Sequence, residues 1–166
     1  HLADRGDVPA LIWEPNDPED DAKTITYRML HDRVCRFANV LKKYGIQKGD
    51  RVCIYLPMVP ELVVAVLACA RIGAIHSVVF GGFSAKSISD RINDSGCKLV
   101  ITSDGSYRGN KVIPMKETVD NALEHCKTVE NVIVMTRTRT PVSMLKGRDM
   151  WWEEEIKHVS NVCPAE

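Results

Sequence analysis

Long apolar runs are missing from this sequence. The longest, Leu62 to Ala70, has nine residues, well short of the roughly 20 that a helix needs to cross a bilayer, so a buried helix is expected there and no membrane partner. An excess of one charge is missing too. With 22 basic side chains against 22 acidic ones, no net field gathers nucleic acid or an anionic surface, and neither is expected as a partner. Paired cysteines are absent: the six, at positions 35, 53, 69, 97, 126 and 163, include no Cys-x-x-Cys and no histidine at zinc spacing. This excludes the common zinc modules and argues against a disulfide framework. Most of them lie inside apolar stretches, as reduced, buried thiols do, and a cytoplasmic location is the expectation. Neither Gly-x-Gly-x-x-Gly nor Gly-x-x-x-x-Gly-Lys-Ser/Thr occurs, which removes the standard dinucleotide and P-loop fingerprints.

What is present is one domain's length of ordinary globular composition, 166 residues of which 45% are apolar and 27% charged, enough to build a proper core. Pro9–Trp13 reads as a strand, with Trp13 packing, and the acidic, proline-containing Glu14–Asp21 as an exposed loop. Thr24–Thr26 is a short strand whose last residue suits a helix N-cap, since Leu30, Val34, Phe37, Leu41 and Tyr44 follow at helical spacing and Gly45 supplies a stop. Arg51–Leu56 is a strand, and Pro60 opens a helix ending at Gly73 that is apolar on every face and so predicts cover from more than one side. Then come a strand at Ala74–Phe80, a helix at Ser84–Ser95, a strand at Cys97–Thr102, a loop at Ser103–Asn110, a helix at about Pro114–Cys126 and a strand at Asn131–Met135. Residues 136–148 read as a polar excursion, after which Asp149 suits the cap of a short helix with Trp152, Ile156 and Val159 on one face. Strands alternating with helices of this length predict an α/β fold: a mostly parallel, buried sheet with right-handed crossovers and helices on both faces.

Such a sheet presents the carboxyl ends of its strands on one edge, where ligands bind. Phe80-Gly81-Gly82-Phe83-Ser84 falls at that edge, where two glycines let backbone approach a ligand before a helix begins. The loop holding Arg108-Gly109-Asn110-Lys111 falls there too, as do Pro57-Met58 and Thr136-Arg137. Free N–H groups at a helix start together with two nearby cations suit a phosphorylated ligand, although solvated surface is the plainer reading of a two-cation loop. No catalytic constellation is visible. His76 is expected as a hydrogen-bonded core histidine within a buried strand, His31 and Asp32 lie on the outer side of their helix, and His125 and His158 stand alone near helix ends. Ser84 lacks the Gly-x-Ser-x-Gly context of a nucleophile elbow, and Trp151-Trp152 reads as a packing anchor.

The run GDRVCIYLPMVPELVVAVLACARIGAIHSVVFGGFSAKSISDRINDSGCKLVITSDGSYRGNKVIPMK, with ITYRML before it and GRDMWWEE after it, closely resembles the acetyl-CoA synthetases of the adenylate-forming superfamily, from about Pro9 to the end. The FGGFS turn followed by an RGNK loop favours the short-chain acyl-CoA synthetase branch. The resemblance implies part of the large N-terminal domain of an adenylate-forming enzyme and a two-step ligase reaction. Acetate and ATP give acetyl-adenylate and pyrophosphate, magnesium accompanies the ATP at a site outside this chain, and the CoA thiol then displaces AMP. It implies that Phe80, Gly81 and Gly82 with Arg108, Gly109, Asn110 and Lys111 contact the nucleotide part of CoA. Lys111 stands where many relatives have arginine, which keeps charge but loses forked hydrogen bonding. The family's Ser/Thr/Gly-rich phosphate loop, acyl-pocket tryptophan and catalytic C-terminal lysine have no counterpart here. Cys163-Pro-Ala-Glu166 resembles the segment just before that loop, and His1 an interior position. The chain is therefore expected to be an internal fragment, inactive by itself. A stand-alone nucleotide-binding or regulatory module, and a propionyl-CoA synthetase, remain alternatives, and oligomeric state is open.

Overall fold

A computed structural model describes residues 2–166; His1 lies outside them. The chain opens with one helical turn, α1 (Leu2–Arg5), and two antiparallel strands, β1 (Pro9–Trp13) and β2 (Lys23–Thr26). Thr26 then caps α2 (Tyr27–Lys43): its backbone is extended and its hydroxyl accepts the Met29 N–H at 3.3 Å, satisfying one of the N–H groups that a helix start leaves free. The apolar stripe foreseen on α2 is buried at Val34, Phe37, Ala38 and Leu41.

Alternation follows, through β3 (Arg51–Ile54), α3 (Pro60–Arg71), β4 (Ile75–Val78), α4 (Ala85–Ser95) and β5 (Leu99–Ser103). A small hairpin, β6 (Ser106–Arg108) with β7 (Lys111–Ile113), leads into α5 (Met115–Leu123), β8 (Asn131–Met135), β9 (Asp149–Trp151) and α6 (Trp152–Glu155), which runs into a 3₁₀ turn at Ile156–His158. The sheet order is β4-β3-β5-β8-β9, with every neighbouring pair parallel. Period-two alternation distributes the strand side chains between two cores. Val52, Ile54, Leu99, Ile101 and Ile133 face α2, α3 and Trp152, while Cys53, Tyr55, Val100, Val132 and Val134 face α4 and α5. Trp152 stacks on Phe37 with centroids 3.6 Å apart, the anchor expected of the tryptophan pair. The fold is thus the α/β layer expected, with helices on both faces.

Several local expectations fail, each for a tertiary reason. His76 is exposed rather than buried, because β4 is an edge strand with Ile75 54% and Val78 46% exposed. Helix α3 is covered on one side only: Val64, Ala65, Ala68 and Cys69 are buried against α2 and the sheet, but Leu67 is 39% exposed. Asp149 begins a fifth parallel strand instead of capping a helix, and α6 follows with no side-chain cap. The segment read as a loop at Ser103–Asn110 contains β6 and half of a hairpin. His31 and Asp32 are half-buried, since residues 159–163 lie along α2, where Asp32 accepts from Asn161 at 2.7 Å and Asn39 donates to Ser160 and Val162 carbonyls. Burial, with Arg71 second, lowers the His31 pKa; the Arg36 hydrogen bond holds the Asp32 carboxyl below its usual range.

Residues 136–148 form neither strand nor helix, yet they are strapped down by charge. Lys116, buried on α5, reaches Asp120 at 2.7 Å, Asp149 at 2.8 Å and the Ser143 carbonyl at 2.9 Å. Arg148 reaches the same two carboxylates, each at 2.6 Å. Burial pushes the Asp149 carboxyl up, but hydrogen bonds from Arg148, Lys116 and the Leu145 N–H outweigh it, so its pKa lies below the ordinary value. All six cysteines are free and burial raises the Cys53 and Cys69 thiols to about 12, which makes them inert core side chains. Among the described residues no helix is long and apolar enough to cross a membrane.

Candidate functional site

The carboxyl ends of β3, β4 and β5 open into a groove of about 990 Å³. The edge foreseen from the strand pattern is therefore a concave one. Phe80, Gly81, Gly82 and Arg108 all line it. Gly109, Asn110 and Lys111 do not: they sit at the hairpin tip, exposed, beyond the groove wall. Arg108 and Lys111 are register partners in the β6–β7 ladder, so a two-residue turn puts both cations on one face of the hairpin. Gly109 has φ +57°, positive at the first central position as a type II′ turn requires, and a glycine meets that requirement without a Cβ clash.

The Phe80–Phe83 turn is closed by Phe83 N–H donating to the Phe80 carbonyl at 3.0 Å and is held from below by Tyr55. Burial raises the Tyr55 pKa, so its hydroxyl stays protonated and donates to the Gly81 and Phe83 carbonyls at 3.0 and 3.2 Å. Gly82 has no left-handed backbone, and a Cβ added there would lie 2.8 Å from the exposed Phe80 ring, which would have to turn aside. That ring is 72% exposed, edge-on to Phe83 with centroids 6.0 Å apart, and forms an aromatic lip. Ser84 is the N-cap of α4 and its hydroxyl accepts the Ser87 N–H at 3.3 Å, so one of the helix-start donors expected for an anion is already satisfied.

Three further residues line the groove: Trp13, which the sequence assigns to packing, Arg137, which it places at the ligand edge, and Tyr107, to which it gives no role. Trp13 arrives from β1, 45 positions from the Met58 carbonyl to which its indole N–H donates at 2.8 Å; no local pattern brings these together. Tyr107 lies on β6, and Arg137 follows β8 at the expected edge. The charged residues lining the groove are Arg108, Arg137 and Glu14. Among the described residues no three His, Cys, Asp or Glu side chains cluster to hold a metal, and no nucleophile with an assigned base lies in the groove. Among the described residues the groove brings no acid–base pair together.

A parallel α/β layer here carries a groove at its strand ends lined by a glycine turn, aromatic rings and cations, the edge at which open α/β sheets take small-molecule ligands. Residues 1–164 match the family model described as AMP-binding enzyme, and the chain belongs to that family. It is 55% identical over 166 residues to the acetyl-coenzyme A synthetase of Bdellovibrio bacteriovorus, covering all of this chain and 26% of that protein. It is 57% identical over 166 residues to the acetyl-coenzyme A synthetase of Syntrophobacter fumaroxidans, covering all of this chain and 25% of that protein. Identity to acetyl-coenzyme A synthetase 2 of Pseudomonas aeruginosa is 54% over 166 residues, again all of this chain and 26% of the relative. The resemblance read from the FGGFS and RGNK motifs is borne out at the level of the family. The chain spans about a quarter of the length of these curated relatives.

Proposed function

We propose that this chain forms one wall of the CoA nucleotide site in an acetate:CoA ligase of the AMP-forming kind. In the first half-reaction an acetate oxygen attacks the α-phosphorus of ATP and pyrophosphate leaves. In the second, the CoA sulfur attacks the acyl carbon, the bond to the phosphate oxygen breaks and AMP leaves. Magnesium would serve the first step by neutralising pyrophosphate charge, and no step here is routed through residues of this chain. What these residues do is bind: the Phe80-Gly81-Gly82 backbone admits a planar base, Arg108 offers a forked cation to phosphate, and Lys111, outside the groove but on the same hairpin face, adds charge.

The single observation that supports this reading is that one groove joins the Phe80–Gly82 turn to Arg108, across 26 positions of sequence. It is tested by Arg108→Ala in the full-length protein. Hydrogen bonds to charged groups contribute about 1.5–3 kcal/mol, so the KM for CoA should rise about tenfold or more while acetate-dependent ATP–pyrophosphate exchange stays within about twofold. An equal loss in both half-reactions would remove Arg108 from the CoA site. The 166-residue chain alone should give no exchange at all.

A further inference from the structure

The Arg137 guanidinium lies 5.2 Å from the Trp13 ring centroid and 5.2 Å from that of Tyr107, so aromatic rings from two separate strands engage it. Its backbone is fixed from beneath. One oxygen of the buried Asp104 accepts three N–H groups, from Gly105 at 2.7 Å, Arg137 at 2.8 Å and Thr138 at 3.0 Å. The other Asp104 oxygen is buried with no hydrogen-bond partner. Ring contact leaves the N–H groups of a guanidinium, which lie in its plane and point outward, available as donors. Among the described residues no carboxylate or carbonyl accepts from the Arg137 guanidinium, and Glu14, the acidic residue lining the same groove, forms no ion pair with it. A half-buried cation held beside two aromatic rings, with no carboxylate or carbonyl partner, is available to receive a planar or tetrahedral anion.

We propose that Arg137 is a second anion-recognising residue of the groove, its fork receiving a phosphate group of the bound ligand at a position separate from Arg108. The ligand's identity as CoA rests on the reading above; the recognition of phosphate rests on the geometry of Arg137, Trp13, Tyr107 and Asp104. The sequence places Arg137 at the ligand edge but marks none of its partners, because Trp13 and Asp104 lie 124 and 33 positions away.

The test is isothermal titration of the full-length protein with CoA and, separately, with ATP, comparing Arg137→Ala, Arg137→Lys and Arg108→Ala. Arg137→Lys keeps the charge and the aromatic contacts but loses the fork, so it separates recognition from folding; its unfolding midpoint should match the parent's. The expected result is CoA affinity reduced at least fivefold by Arg137→Ala and only partly restored in Arg137→Lys. If ATP affinity falls instead of CoA affinity, phosphate recognition by Arg137 stands and the CoA reading of the groove falls. If Arg108→Ala weakens CoA while both Arg137 variants bind CoA and ATP as the parent does, the CoA reading stands and this inference is overturned. If no variant alters either affinity, both are overturned.

Discussion

Lys116 illustrates how one side chain can decide the placement of a whole segment. It is 1% exposed and shares Asp149, fully buried, with Arg148. A buried ammonium is tolerable only while its carboxylates and the Ser143 carbonyl surround it, and losing one partner leaves a charge without compensation. Lys116→Met should therefore destabilise the protein by about 3 kcal/mol in urea unfolding, and Lys116→Met combined with Asp149→Leu by less than the sum of the single changes. The same cluster sets an acid limit. The folded Asp149 pKa is depressed, so its contribution is complete above the ordinary carboxylate pKa of about 4 and is lost as pH falls through the lower folded value. Unfolding free energy should fall on going from pH 5 to pH 3, with a shallower slope in Asp149→Asn. None of this was legible from sequence: Lys116–Asp120 is an ordinary i, i+4 pair, but Asp149 joins it across 33 positions only because β9 docks on β8.

Helices and central strands were the elements most legible in advance, because their signals are local. Thr26 before an apolar stripe at helical spacing, and unbroken β-branched runs at β5 and β8, require no knowledge of neighbours. The hairpin was missed because its two strands have three residues each, too few for a period, and because Gly109-Asn110 in a polar stretch reads as plain loop. Its turn nevertheless has a sharp requirement. A Cβ at 109 meets no atom within 4 Å, but the backbone is left-handed with φ +57°. Gly109→Ala should therefore cost about 1 kcal/mol through backbone strain alone, read as faster hydrogen exchange across β6 and β7 with α4 and α5 unchanged. β9 escaped notice for a different reason: Asp149-Met150-Trp151 shows no strand run, and it is strand because β8 offers a free parallel edge and the charge cluster delivers it there.

For the molecule entire, burial was harder to foresee than topology. β4 was expected inside the sheet and lies at its edge, where Ile75, Val78 and the Phe80 lip form an exposed apolar border. Unpaired strand edges with apolar side chains template pairing between chains. The 166-residue chain by itself should sediment as concentration-dependent oligomers, and Val78→Lys should shift it toward monomer; a monomer at all concentrations would contradict the exposed edge. Composition, hydrophobic period and turn residues were enough to determine the α/β class and the four principal parallel strands, because each of those follows from contacts within a few residues of one another. The tertiary structure alone decided the order of the strands, which one lies outermost, and which side chains share the groove. Trp13, Tyr107, Arg108 and Arg137 come from β1, the hairpin and the end of β8, and such a convergence exists only after the chain has closed loops far longer than any sequence pattern spans.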